Sequence, residues 1–201
     1  MIDIVFPKNN EKEFIKLAEN LKIERLCLAY DKITDVSEFQ AQTKLKLSSA
    51  VICTQDNIKK FKGKAFTIMN SPEDQTKLRH IIEKIRPDIL FGLESGAKKD
   101  FLHHRASGLN HILATIAAQK NVSIGFGFSS ILKAKPWQRS VYIGRMMQNI
   151  RFARKFKFKT VIASFADNPW NMRSEHDLIS FFITLGMTAS EAKAALDWVG
   201  R

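Results

Sequence analysis

The sequence predicts an α/β domain built on a mostly parallel sheet. Short apolar runs bounded by polar residues alternate with amphipathic stretches of helical period along the whole chain. The composition supports one sizeable core: 45% of the 201 residues are hydrophobic and 26% charged, too apolar for a disordered chain. Strands that alternate with helices at this spacing make βαβ units. Six or seven strands in this length fit either an open doubly wound sheet or a small, distorted β/α barrel. No Gly-rich turn follows the first strand, which counts against a dinucleotide-binding sheet.

The elements follow in order. Ile2 to Phe6 is a short apolar run, a strand. Asn10 to Leu21 reads as a helix: Asn10 is the N-cap, Glu13 stands three residues on, and Phe14, Leu17, Ala18 and Leu21 share a face. Ile23 to Tyr30 is a strand stopped by Asp31. Ser37 to Lys46 carries helix formers without a clear period. Leu47 to Thr54 and Lys64 to Met69 are strands. Ser71-Pro72-Glu73-Asp74 has the chemistry of a helix start, with Ser as cap, Pro at the first helical position and two acids in the first turn; that helix ends at Pro87. Asp88 to Leu93 (strand), Ser107 to Lys120 (helix), Val122 to Phe128 (strand), Trp137 to Lys157 (helix) and Thr160 to Phe165 (strand) repeat the order. Ser174 to Leu185, capped by Ser174 with Asp177, and Ser190 to Val199 are the last helices. No linker or low-complexity stretch divides residues 1–201, which read as one domain.

Cys27 and Cys53 sit in apolar runs and read as reduced core residues; no pair has a zinc spacing. The N-terminus lacks the basic start and apolar stretch of a signal peptide. The longest apolar run, Ile179 to Met187, is too short to span a bilayer. A cytoplasmic location without membrane partners is expected.

Charge is the unusual property. Against 20 acidic residues stand 32 Lys and Arg, a formal net charge of +12. Residues 1–100 hold 18 basic and 15 acidic side chains, whereas residues 101–201 hold 14 and 5. Between Asp100 and Asp167, 66 residues pass without one carboxylate, while 11 Lys and Arg fall in the same window. Excluding carboxylates is what a phosphate-binding face requires, and a polyanionic partner follows. A solvated face kept for solubility is the plainer alternative.

Two constellations lie in that window. His103-His104-Arg105-Ala106-Ser107-Gly108-Leu109-Asn110-His111 falls between a strand and a helix, where α/β folds place their sites. On a helix phased from Leu109, Ile112, Leu113 and Ile116 face the core and His111 faces solvent. No acid is near enough in sequence to complete a metal site, so phosphate contact or capping is preferred. In the Trp137 to Lys157 helix, Tyr142, Met146, Ile150, Ala153 and Phe156 form an apolar stripe. Arg151, Arg154 and Lys155 lie within about 100° of arc elsewhere, with Arg145 apart from them. Gly125-Phe126-Gly127 closes a strand and admits either a phosphate or a closely packed neighbour. No carboxylate cluster and no GxSxG marks a catalytic centre.

The segment His104 to Ala114, followed by Asn121 to Phe126, resembles the central signature of archaeal ribonuclease P protein component 3, the counterpart of the 30-kilodalton subunit of eukaryotes. Gly144 to Arg151, Val161 to Ala166 and Met172 to Leu178 resemble it as well. The resemblance runs from about Asp88 to Met187; before that it rests on the order and length of elements. It implies a distorted TIM-like β/α barrel in a single domain. It also implies a protein subunit of the ribonucleoprotein that removes the 5′ leader of precursor tRNA. The RNA subunit is the catalyst, with Mg2+, and this chain binds no cofactor. Component 2 is the direct protein partner, beside other protein subunits, and the pair acts on the catalytic half of ribonuclease P RNA. The barrel is similar to that of metal-dependent phosphoesterases of the polymerase-and-histidinol-phosphatase type. Their HxH is missing here, since Asp3 is followed by Ile4-Val5-Phe6.

The RNA contacts expected on this reading are Arg105, His111, Lys120, Arg145, Arg151, Arg154, Lys155, Lys159 and Arg173. Arg would grip phosphates in bidentate fashion and Lys would act as a point charge. No residue is assigned to catalysis or to a metal. A stand-alone metal-dependent phosphoesterase and a scaffold docking an acidic protein are the alternatives, and for each single residue a surface ion pair.

Overall fold

The computed structural model describes residues 1–96 and 99–198. Seven strands alternate with nine helices among them: β1 Ile2–Val5, α1 Glu11–Asn20, β2 Arg25–Tyr30, α2 Ser37–Gln40, β3 Lys46–Cys53, α3 Ile58–Phe61, β4 Phe66–Asn70, α4 Gln75–His80, β5 Ile89–Phe91, α5 His111–Lys120, β6 Ser123–Gly127, α6 Phe128–Lys133, α7 Pro136–Phe156, β7 Thr160–Ala163, α8 Glu175–Thr184 and α9 Ala189–Leu196. All strand pairs are parallel, in sequence order from β1 to β7.

The sheet curls into a barrel whose last seam is not a regular ladder. Val5 bridges Ala166, and the Phe6 N–H donates to the Ala166 carbonyl at 2.7 Å. Below that bridge a carboxylate takes the place of backbone pairing: Asp3 accepts from the Ser164 N–H at 2.6 Å and from its hydroxyl at 2.8 Å. Burial pushes the Asp3 carboxyl up to about 6, against the hydrogen bonds from Ser164 and Ile4 that favour its charge. A distorted β/α barrel is therefore the observed architecture, and the open doubly wound alternative is excluded.

Period-two alternation sorts the strand residues into two cores. Ile2, Ile4, Cys27, Ala29, Ala50, Ile68, Ile89, Val161 and Ala163 fill the barrel. Val5, Leu26, Leu28, Val51, Met69, Leu90, Ile124, Phe126 and Ile162 face the helices. Cys27 and Cys53 are free and buried, one in each core. Aromatic rings close both mouths. At the C-terminal end of the strands Phe91 stacks on Phe165 (4.7 Å, 5°) with Phe6 against both; at the other end Trp198 stacks on Phe66 (4.7 Å, 25°). Phe165 holds a φ of +47°, a strained value for a residue with a Cβ, and its ring lies against Gly125 and Gly127. A methyl group at Gly125 would meet Phe91, Ile89 and Phe165 at 2.9–3.0 Å. The Gly-Phe-Gly sequence is thus a seat for an aromatic plug, and the phosphate alternative for it falls.

Several boundaries differ from the sequence reading, each for a local reason. The Ser71-Pro72 start is displaced: Asp74 is the cap, accepting from Thr76 and Lys77 N–H, and the helix runs into a π-helical turn at Ile81–Ile85. Asn10 does not cap α1; its side chain accepts from the Lys8 N–H instead. The helix expected from Ser107 begins at His111 because Gly108 has φ +82° and Asn110 is the cap. That shift rotates Ile112 out of the core, to 47% exposure. The one-turn helices α2 and α3, and α6, carry no clear period of their own. Of the last helix, Val199 lies outside the described residues, and Thr188 is its cap. Among the described residues no helix is long and apolar enough to cross a membrane.

Candidate nucleic-acid interface

The parallel topology decides which cations meet. Residues that follow a strand lie at the C-terminal end of the barrel, and residues that precede one lie at the N-terminal end. The nine expected RNA contacts divide between the two. Arg105, His111, Arg145 and Arg173 belong to the C-terminal end. Lys120 and Lys159 precede β6 and β7, and Arg151, Arg154 and Lys155 occupy the last two turns of α7 that descend to the same end. A single continuous face is not what the fold provides.

At the C-terminal end the arginines are engaged inside the protein. Arg145 is 2% exposed. Its Nε donates to Asp100 at 2.9 Å and its Nη1 to the carbonyls of Glu94 (2.9 Å) and Gly96 (2.6 Å). A buried guanidinium fixing a loop cannot also grip a phosphate, so the expectation of an RNA contact at Arg145 is corrected: it positions the loop after β5. Partial burial opposes charge on Asp100, yet Arg145, the Ala106 N–H and Arg105 together hold its carboxyl below the ordinary value. Arg105 pairs with Asp100 at 3.0 Å and lies flat on Gly144, whose missing side chain leaves it room.

Around this pair the two signature segments become one contact. Gln148 brackets the backbone of Arg105 (3.0 and 2.9 Å) and donates to the Ser107 hydroxyl at 2.7 Å; buried Asn149 donates to the Ser107 carbonyl at 2.9 Å. Glu94 is buried below. One carboxylate oxygen accepts from Ser130 at 3.0 Å and the other has no hydrogen-bond partner among the described residues. Burial raises its pKa to about 7, against Ser130 and the charge of Arg145. His104 stacks on Phe101 (4.5 Å), and His111 is the exposed first residue of α5. Arg173 donates to the carbonyls of Trp170 and Met172 and lies over the Phe128 ring at 5.5 Å.

The N-terminal end is different. Arg154 makes a bidentate pair with Glu191 (2.9 and 2.6 Å) and donates to the Gly186 carbonyl. That guanidinium holds the Glu191 carboxyl down at about 2. Arg151, Lys120 and Lys159 have no ion-pair partner among the described residues, and Lys155 lies over Phe156. Lys157 caps α7 in the left-handed conformation. The charge count of the second half missed three neighbours from the first. Lys62, Lys64 and Arg86 line a cleft of about 1000 Å³ with Lys120 and Asn121. They lie in the loops entering β4 and β5, and β4, β5, β6 and β7 are consecutive neighbours in the sheet. The entry loops of four adjacent strands therefore set Lys62, Lys64, Arg86, Lys120, Lys157 and Lys159 in one arc, on the order of 15 Å along the rim at ordinary strand spacing. Of the nearest carboxylates, Glu83 is paired with Arg79 and Glu191 with Arg154, while Asp88 accepts from the neutral Thr67 N–H and hydroxyl. Among the described residues no three His, Cys, Asp or Glu gather where a metal ion could be held. The phosphoesterase alternative therefore has no donor set behind it.

Ribonuclease P protein component 3 of Thermococcus kodakarensis is 36% identical over 94 residues, 47% of this chain and 43% of that protein. Its counterpart in Methanocaldococcus jannaschii is 28% identical over 189 residues, 87% of this chain and 78% of that protein. The chain thus matches less than half the length of the Thermococcus relative. A chain of an archaeal ribonuclease P, solved by cryo-EM with mature tRNA, superposes with a TM-score of 0.80 at 26% identity, covering 98% of this chain and 87% of that one. The model of the RNase P subunit p30 family matches residues 7–199, and the chain belongs to that family.

Proposed function

We propose that this chain is a protein subunit of ribonuclease P, the RNA-based endoribonuclease that removes the 5′ leader of precursor tRNA. The observation that carries the reading is the arc of six cations on the entry loops of β4 to β7, against Asp88 and a Glu191 already paired with Arg154. Each such cation that meets a phosphate releases condensed counterions, which makes the contact strong and salt-dependent. Lys120, Arg151, Lys155 and Lys159 contact the RNA subunit there, joined by Lys62, Lys64, Arg86 and Lys157. Arg105, His111 and Arg173 are left as contacts at the opposite end. Membership of the p30 family and likeness to a chain of an archaeal ribonuclease P support the assembly.

In this reading the RNA subunit performs catalysis with Mg2+, and the protein offsets phosphate repulsion so that the catalytic RNA folds at lower Mg2+. Component 2 is the direct protein partner within a cytoplasmic particle, and precursor tRNA is met only in the holoenzyme. The test is cleavage of precursor tRNA by ribonuclease P RNA at limiting Mg2+, with this chain and component 2 added singly and together. Cleavage that needs both proteins supports the reading. Cleavage by this chain without RNA, or cleavage indifferent to it, overturns it.

A further inference from the structure

The residues left over by this account are large apolar side chains in solvent. Trp137 is 66% exposed and Trp170 78% exposed. Both belong to the C-terminal end of the barrel, beyond β6 and β7. Arg145 of α7 is level with the loop after β5, so the turns of α7 before it, Trp137 included, project past the strand ends. Trp170 lies in the one-turn 3-10 helix Pro169–Asn171. One ion pair ties the two segments: Lys133, four residues before Trp137, binds Asp167, three residues before Trp170.

The surroundings of the two indoles hold more cations than carboxylates. Asp167 also takes Lys8 at 3.5 Å, so its charge is shared by two ammonium groups. Arg139 donates to the carbonyls of Ile131, Leu132 and Ala134, and Arg173 to those of Trp170 and Met172. Those acceptors are neutral and leave both guanidinium charges standing. Lys135 has no carboxylate within ion-pair distance among the described residues. Glu175 turns to the N-terminal ammonium at 3.8 Å, and Asp177 binds Ser174. A basic protein would be repelled by this cationic ring, and an acidic one would meet the cations but offer no run of π-faces to the indoles. Unpaired nucleotides offer the complement, a π-face for each indole and a phosphate for the cations between them.

We infer that this rim is a second RNA-binding surface, selective for unpaired nucleotides, in which Trp137 and Trp170 stack on bases and Lys133, Lys135, Arg139 and Arg173 flank the backbone. The inference rests on the ribonuclease P reading only in taking RNA as the ligand; the rim is separate from the arc at the other end. The test is intrinsic tryptophan fluorescence of the full chain titrated with a single-stranded oligouridylate and with an RNA duplex of equal length. Trp198, stacked on Phe66 beside the arc, is replaced by Phe (Trp198→Phe) in every protein titrated, so that only the rim indoles report. Oligouridylate should quench this parent protein. Trp137→Ala and Trp170→Ala should each weaken oligouridylate binding about tenfold and duplex binding less than twofold. Conservative Trp137→Phe and Trp170→Phe should restore most of the affinity. Absence of quenching at saturation, equal losses on both RNAs, or loss of a protein partner with RNA binding intact would each overturn the inference. Precursor-tRNA cleavage assayed in parallel separates the two readings. If it depends on the chain while the oligonucleotide leaves the indoles unquenched, only the rim falls.

Discussion

The arginines of the signature segments and the lysines of the entry loops, at opposite ends of the barrel, use their charge in opposite ways. At the C-terminal end Arg105 and Arg145 share Asp100, and Arg145 and Arg173 hold backbone carbonyls. At the N-terminal end Lys64, Lys120 and Lys159 have no such partner among the described residues. The signature-like segments belong to the first end, where they hold one another in place, and the arc lies in loops with no motif at all. Conspicuous residues therefore mark what must be built, and the presented charge is found only after folding. Both ends of the acid-free window illustrate this, since Asp100 and Asp167 are each paired with cations from inside it.

Arg145 gives the hardest test of that contrast. Arg145→Ala leaves Asp100 with one arginine and two loop carbonyls without a donor, so a loss of about 3–5 kcal/mol in unfolding free energy is expected by denaturant titration. If stability holds and RNA affinity falls, Arg145 is a contact after all. Glu94 tests the same network by pH. Its carboxyl stays protonated in the fold up to about 7 but ionises near 4.5 when unfolded. The folded form thus binds the extra proton between those values, and stability falls as pH rises from about 4.5 to about 7, by about 3 kcal/mol at most. Glu94→Gln should flatten that part of the stability profile; an unaltered slope would show that Glu94 ionises freely.

At the other end, Lys120→Ala, Lys157→Ala and Lys159→Ala combined should leave stability within about 0.5 kcal/mol per site. The slope of log affinity for RNA against log salt should shrink by roughly 2 to 3. An unchanged slope removes the arc from the interface. Arg154 and Arg151, one turn apart, should separate. Arg154→Ala breaks a half-exposed pair and the bond to the Gly186 carbonyl and should lower the melting temperature slightly. Arg151→Ala should leave the melting temperature alone and affect only the salt slope.

The sequence reading placed all seven strands and most of the longer helices because periodicity and caps are local signals. It could not place the seam, because Asp3 and Ser164 are 161 residues apart. Nor could it see that Arg154 would meet Glu191 or that Arg145 would meet Asp100, pairings across 37 and 45 residues. The charge asymmetry drew the reading to the second half of the chain and hid Lys62, Lys64 and Arg86. Those join the arc only because β4 and β5 neighbour β6 in the sheet. The helical wheel set Arg145 apart from the other cations of its helix, but its surroundings, not its spacing, decide its role.

The smallest expected effect is the most discriminating. Gly144 sits inside α7, where glycine is a poor helix former, and its missing side chain is what lets the Arg105 guanidinium lie against the helix beside Asp100. Gly144→Ala should raise helix stability by up to about 1 kcal/mol, less the exposed Arg105–Asp100 pair it disrupts, so the net change is a few tenths. The backbone of Arg105 stays bracketed by Gln148, so only the guanidinium is released. If Arg105 acts by holding Asp100, RNA affinity of the Gly144→Ala variant stays constant while the melting temperature barely moves. If Arg105 contacts phosphate from its seat on Gly144, the same substitution weakens binding at unchanged stability. The arginine of the signature segment would then present its charge as well as hold the loop.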